Sequence, residues 1–183
     1  AEALYRQMLD EFPAETRVHD ELCAIYLEEA KYEPLRDVLA LKRDVLAGAD
    51  AEEQDGQQLA DLECELGMLT YGIHRRQEAA AAVRLAVDRY AAALGHAPNH
   101  GESVERLEEL LADEGERLRI TDILETVYRD RGAWRKLAEM LEIQLLAATQ
   151  AEDAARRLEL LWQLTEIYAA RLSDADRSWR TYG

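Results

Sequence analysis

His96 and His100 stand four residues apart, the spacing with which one helix face can offer two imidazoles to a metal ion. Pro98 lies between them and Gly95 and Gly101 flank them, so no helix holds that geometry. No further ligand is near in sequence, and the segment reads as a polar loop. Asp50-Ala-Glu-Glu-Gln-Asp55-Gly56 has the acid density of a calcium loop, but alignment on its glycine places Ala51 and Leu62 where the first and last ligands belong. Cys23 and Cys64 sit within apolar helical patterns and read as buried free thiols. The acid pairs Glu52-Glu53 and Glu108-Glu109 have no partner that would mark them as catalytic, and neither His19 nor His74 adjoins a nucleophile motif. No glycine-rich phosphate loop is present. The expectation is a chain with no catalytic, metal or cofactor set.

Composition limits the classes further. The 183 residues include 30 Ala and 28 Leu, with only 9 Gly and 3 Pro, a helix-forming mixture poor in turn formers. A formal charge of −16 disfavours phosphate backbones, so no nucleic-acid partner is expected. No apolar run reaches the length of a membrane span, and a cytoplasmic location follows as the expectation. Arg outnumbers Lys 19 to 3, which with the abundant Ala points to a GC-rich bacterial source.

Helical periodicity runs almost end to end, broken where Pro and Gly fall. The breaks delimit helices over 1–12, 14–30, 34–47, 52–72, 77–95, 102–113, 116–131, 133–148, 151–172 and 174–182. Pro34 suits a first turn and Gly132 a left-handed C-cap, while Thr149-x-x-Glu152 and Ser173-x-x-Asp176 have capping-box spacing. Short turns imply antiparallel hairpins. A shift of 102 residues superposes Leu22, Tyr26, Leu35 and Leu39 on Leu124, Tyr128, Leu137 and Leu141. It also places Ile25 on Val127, Val38 on Met140 and Tyr32 on Trp134. That shift is three times the tetratricopeptide period of about 34 residues.

Leu66-Gly67 followed by Ala79-x3-Val83-x2-Ala86 resembles the tetratricopeptide (TPR) motif, as does Ala1-x3-Tyr5-x2-Met8-x4-Pro13 leading to Leu22 and Tyr26. Small residues at Gly67, Ala79 and Ala86 would let paired helices approach. The resemblance implies an all-α, right-handed α-solenoid of antiparallel hairpins with about 9–10 helices. Residues 1–183 would form one TPR-like domain, an excerpt of a longer array, with an irregular helix at 102–113 between two four-helix blocks. The departures are a ten-residue insertion at 48–58 and Glu63 in place of the usual Trp, which keeps HEAT-like or HAT-like arrays as alternatives. The aromatics Tyr5, Tyr26, Tyr32, Tyr71, Tyr90, Tyr128, Trp134 and Tyr168 fall mainly at helix-pairing positions and read as core.

In such arrays the first helix of each unit lines a concave groove. By that resemblance Asp20, Ala24, Leu27 and Glu28 would line it in one unit, and Asp61, Glu65, Met68 and Tyr71 in another. Trp162 stands beside an apolar face made by Leu160, Leu161 and Leu164, and would project onto the groove side. Residues 44–73 carry eight acids and no Lys or Arg, and residues 102–116 carry seven acids and one Arg. The function expected is a protein-interaction scaffold or adaptor that binds a basic segment of a partner protein or peptide. A sensor module of a signalling protein and a helical enzyme segment are the alternatives. Apolar surface left at the two ends would favour self-association.

Overall fold

The computed structural model describes residues 1–49, 55–75 and 78–172. These form helices α1 (Glu2–Glu11), α2 (Thr16–Glu28), α3 (Tyr32–Ala47), α4 (Gly56–His74), α5 (Ala79–His96), α6 (Gly101–Leu110), α7 (Arg117–Asp130), α8 (Trp134–Gln150) and α9 (Ala154–Glu166). A π-helical turn, Ile167–Arg171, continues α9, and no strand occurs among the described residues. The all-α class and the succession of helix hairpins are as the sequence implied. The chain divides into two compact units, Ala1–Arg106 and Leu107–Gly183, with the boundary inside α6. The expected helix at 174–182, its Ser173 cap, the acids Asp50, Glu52 and Glu53, and most of the calcium-like segment lie outside the described residues.

Within the first unit each of α1 to α4 packs on the next; within the second, α8 packs against both α7 and α9. One pattern organises both. An aliphatic residue, Leu four later and Tyr four after that recur as Val18-Leu22-Tyr26, Ile120-Leu124-Tyr128 and Leu160-Leu164-Tyr168, all buried. On α4 the same row reads Leu62-Leu66-Thr70. Spacing by four keeps each row on one helix face. Burying each large side chain contributes about 1.5–3 kcal/mol, so the row is the main source of hairpin stability. The partner helices supply Leu35, Val38 and Leu39 in α3, Val83 and Val87 in α5, and Leu137, Met140 and Leu141 in α8. The residues joined by the 102-residue shift are therefore core positions, except that Ile25 and Trp134 are half-buried and Tyr32 is 51% exposed.

Each Tyr hydroxyl of the row reaches a Glu on the preceding helix: Tyr26 to Glu2 at 3.5 Å, Tyr128 to Glu108, and Tyr168 to Glu142 at 2.6 Å. Lys31 and Lys136 bond the first two of these acids. Their ammonium groups lie 6.0 and 5.4 Å from the centroids of the Tyr26 and Tyr128 rings, within cation–π range. Burial pushes the Glu108 carboxyl up, but the hydrogen bonds from Lys136 and Tyr128 outweigh it and hold it below its ordinary value. Burial and the neighbouring Glu108 carboxylate push the Tyr128 hydroxyl up. A buried hydroxyl needs a partner, and an ionised Glu is a strong one.

The hairpin turns repeat as well. Ala30, Gly132 and Glu152 all take positive φ, at 54, 65 and 57°. The next N–H in each case reaches back five residues, Lys31 to Tyr26 at 2.8 Å, Ala133 to Tyr128 at 2.9 Å and Asp153 to Ala148 at 3.0 Å. This is a left-handed C-cap that satisfies an orphan carbonyl, and it suits glycine best. Gly132 fits as expected, whereas Ala30 stands at the equivalent place with a Cβ that disfavours the conformation. Ala30→Gly is expected to stabilise by about 0.5–1 kcal/mol and Gly132→Ala to destabilise by about 1 kcal/mol, measured by urea unfolding. Loss of stability in the Ala30 variant would refute the shared turn.

Three local expectations are corrected. Thr149 does not open a helix: its hydroxyl bonds the Leu145 carbonyl within α8, and Asp153 caps α9 by accepting from the Arg156 N–H at 3.0 Å. The start of the 52–72 helix moves to Gly56, because the Asp55 side chain accepts from the N–H groups of Gln57 and Gln58. Ala79 is exposed, and the small-residue stripe of α5 runs instead through Ala82, Ala86 and Ala93, all fully buried.

Candidate functional site

The α2 residues singled out form one solvent-facing stripe. Asp20, Ala24, Leu27 and Glu28 are all exposed, Leu27 by 63%. Their spacing of four, three and one places them opposite the buried row Val18-Leu22-Tyr26. On α4, Asp61 is exposed while Glu65, Met68 and Tyr71 are half-buried. Both stripes belong to the first unit. On α9, in the second unit, Trp162 is 60% exposed and Leu158, one turn earlier, 59%, while Leu160 and Leu164 are core.

Charges on the α2 and α4 faces are already engaged. Lys42 of α3 bonds Asp20 at 2.6 Å. Burial pushes the Glu65 carboxyl up, against the pull of Lys42 and with the repulsion of Glu102. The Cys23 thiol is pushed up to about 11 by burial and the Glu65 and Asp20 charges, so Cys23 stays protonated and unreactive at neutral pH. Cys64 is buried, and both cysteines are free. Asp20, Lys42, Cys23 and Glu65 thus share one electrostatic neighbourhood spanning α2, α3 and α4.

Asp61 anchors a second cluster. His100 caps α6: the Ser103 N–H donates to its Nδ1 at 3.2 Å, and the Ser103 Oγ lies 2.7 Å from the same nitrogen. Nδ1 is therefore the acceptor, and Nε2 donates to Asp61 Oδ1 at 2.9 Å. The Ser103 hydroxyl also hydrogen-bonds the Cys64 thiol. Ser, His and Asp in a chain are the ingredients of nucleophilic catalysis. Here the Ser is fully buried, so no substrate carbonyl can approach it, and the cluster fastens the start of α6 onto α4. The reading of His96 and His100 as a polar loop is corrected at both: His96 closes α5, and His100, in the turn that follows, is 5% exposed. Among the described residues no group of three metal-ligating side chains comes together, and no helix is long and apolar enough to cross a membrane.

The acidic stretches resolve into individual tasks. Asp44 pairs with Arg43 at 2.8 Å, Asp55 caps α4, and Asp61 holds His100. Glu102 pairs with Arg106 at 3.5 Å, Glu108 serves Tyr128 and Lys136, and Asp113 caps the following turn. Glu63, 2% exposed, bonds Arg43 of α3 and Arg89 of α5, each at 2.9 Å. In the second unit Gln144, 5% exposed, donates to Asp122 and Glu125 at 3.0 Å and accepts from Arg156 at 2.9 Å. Burial and the Glu125 charge push the Asp122 carboxyl up. The Gln144 network carried no signal in sequence, since a lone glutamine on a helix reads as surface. Glu63 did carry one, as a charge at a core position of the repeat.

Three depressions are described. One of about 390 Å³ lies between α1 and α2 beside Tyr5, Met8 and Glu21. One of about 290 Å³ lies beside Leu118, Asp122 and Arg156, and one of about 190 Å³ beside Trp134 and Arg171. None of the three is lined by the stripe residues of α2, α4 or α9.

No family model matches the chain, and no curated protein matches it. Among solved structures it is similar to a Podosopora anserina chain assigned as a kinesin light chain with nearly identical TPR-like repeats. The match has 18% identity and a TM-score of 0.35, and covers 93% of this chain and 92% of that one. A single-substitution form of the same protein matches with the same values.

Proposed function

We propose that the chain is a protein-interaction scaffold or adaptor, residues 1–183 acting as one helical-repeat domain. Its partner is a segment rich in Lys and Arg and punctuated by apolar residues. The observation that supports this most directly is the exposed stripe of α2, where Leu27 stands open beside the acids Asp20 and Glu28. A leucine held in water by a folded helix is an apolar anchor, and flanking carboxylates add charge complementarity to it. Glu65, Met68 and Tyr71 of α4 extend the same surface chemistry, with Asp61 and Asp20 contributing less because His100 and Lys42 already hold them. Trp162 with Leu158 forms a second apolar stripe for the same kind of partner.

Binding is tested by fluorescence anisotropy with twelve-residue peptides matched in apolar content, one set rich in Lys and Arg and one rich in Asp and Glu. The basic set is expected to bind, more weakly as salt rises. Leu27→Ala with Glu28→Lys is expected to weaken that binding by about tenfold or more. Equal or tighter binding of the acidic set would remove the charge argument.

A further inference from the structure

The pocket of about 190 Å³ in the second unit has a chemistry opposite to that of the α2 stripe. Its apolar floor is Leu137 and Ile167, both buried, with the half-buried Trp134 indole as one wall. Arg171, at the end of the π-helical turn, lies 4.7 Å from the centroid of the Trp134 ring. Arg171 makes no hydrogen bond or ion pair with any described residue, although the chain carries 38 acids to 22 Lys and Arg. Glu166 lines the same pocket without pairing to it. Across the pocket, Arg129 spends one nitrogen, Nη2, on Glu125 at 2.7 Å and Gln163 at 3.1 Å. Its Nε and Nη1 donate to no described group. The π turn is an irregular segment of the kind found disproportionately at functional positions, and it carries Arg171 at its end.

We infer that this pocket binds a carboxylate borne on a small apolar body. Leu137, Ile167 and the Trp134 face take the apolar body, while the guanidinia of Arg171 and Arg129 take the carboxylate. A guanidinium already resting on an aromatic face is partly desolvated and held in place, so its hydrogen bonds to an anion cost little further ordering. The volume lies below the roughly 300–1,000 Å³ of pockets that hold drug-sized ligands, which restricts the body to about one ring. Glu166 on the rim and Glu125 against Arg129 leave too little positive charge for a dianion, so a carboxylate is favoured over a phosphate. This site uses none of the residues of the proposed basic-segment surface.

The test is a nitrogen–proton correlation titration of the full chain that follows the Trp134 indole N–H, assigned by its loss in Trp134→Phe. Phenylacetate is expected to move that signal saturably, with phenylacetamide and phenyl phosphate at least about tenfold weaker. Arg171→Gln is expected to abolish the response while the amide spectrum stays folded. Arg171→Lys keeps the charge but loses the planar fork, and is expected to weaken binding; it decides the matter if the Gln variant does not fold. Equal binding of the neutral amide, tighter binding of the phosphate, unchanged affinity in the Arg171 variants, or no saturable shift with phenylacetate overturns the assignment. The basic-peptide assay on Leu27 and Glu28 is unaffected by any of these outcomes.

Discussion

Glu63→Ala is expected to destabilise the chain by about 3 kcal/mol in urea unfolding, a large share of the stability of any single domain. The carboxylate is 3% exposed and is held between Arg43 of α3 and Arg89 of α5, so three helices meet at one buried anion. Breaking a buried pair by removing one partner costs about 3–5 kcal/mol, because a charge is left without compensation. The low end applies, since the Arg43 and Arg89 side chains keep 23% and 33% of their surface in water and can turn outward. Glu63→Gln keeps the shape and one acceptor, and should fall between wild type and Ala. Replacing Glu63, Arg43 and Arg89 together by Met should recover most of the loss, because well-packed apolar residues often equal or exceed a buried ion cluster. A Glu63→Ala variant within 0.5 kcal/mol of wild type would show that the two guanidinia need no common partner.

The position of Glu63 also shows what the sequence could and could not disclose. Helix boundaries came mostly within a few residues because Pro34, Gly132 and the Leu-x3-Tyr rows act locally, through backbone geometry and face periodicity. The 102-residue self-match found core positions for the same reason: a buried row must keep its spacing by four. Polar assignments fared differently. Asp61 and Glu108 read as surface charge in a chain of −16, and Glu63 as a departure from the repeat, yet each has a partner between 20 and 39 residues away. No periodicity encodes such pairing. His100 was misplaced by the proline and glycines around it, which do break the helix but leave the imidazole free to cap the next one. The stripe of α2 was legible because it is the complement of the core row, whereas Thr149 had the right cap spacing in the wrong turn.

Gly67→Ala is expected to destabilise by about 2 kcal/mol despite adding a better helix former to the middle of α4. A Cβ at Gly67 would lie 2.5 Å from Cε1 of Tyr90 and 3.0 Å from Cδ1 and Cζ, well inside contact distance. The Tyr90 ring is 3% exposed and lies on α5 among Ala82, Ala86 and Ala93, so it has no free space to swing into. Either the ring leaves its rotamer or α4 and α5 move apart, and overpacking of this kind costs about 1–3 kcal/mol. Against that stands the gain of roughly 1 kcal/mol from replacing Gly by Ala within a helix. The clash wins because it falls between α4 and α5, the most extensively packed pair among the described helices, where separation would cost buried contacts along both faces. The two terms can be separated. In a Tyr90→Leu background the ring is gone, and Gly67→Ala should then stabilise relative to that background, by up to about 1 kcal/mol. A reversal of sign between the two backgrounds identifies Gly67 as the residue that admits Tyr90. The same destabilisation in both would mean that the glycine serves the α4 backbone itself. Gly67→Leu, which cannot be accommodated in either background, should unseat α5 and appear as loss of amide protection along Ala82–Ala93.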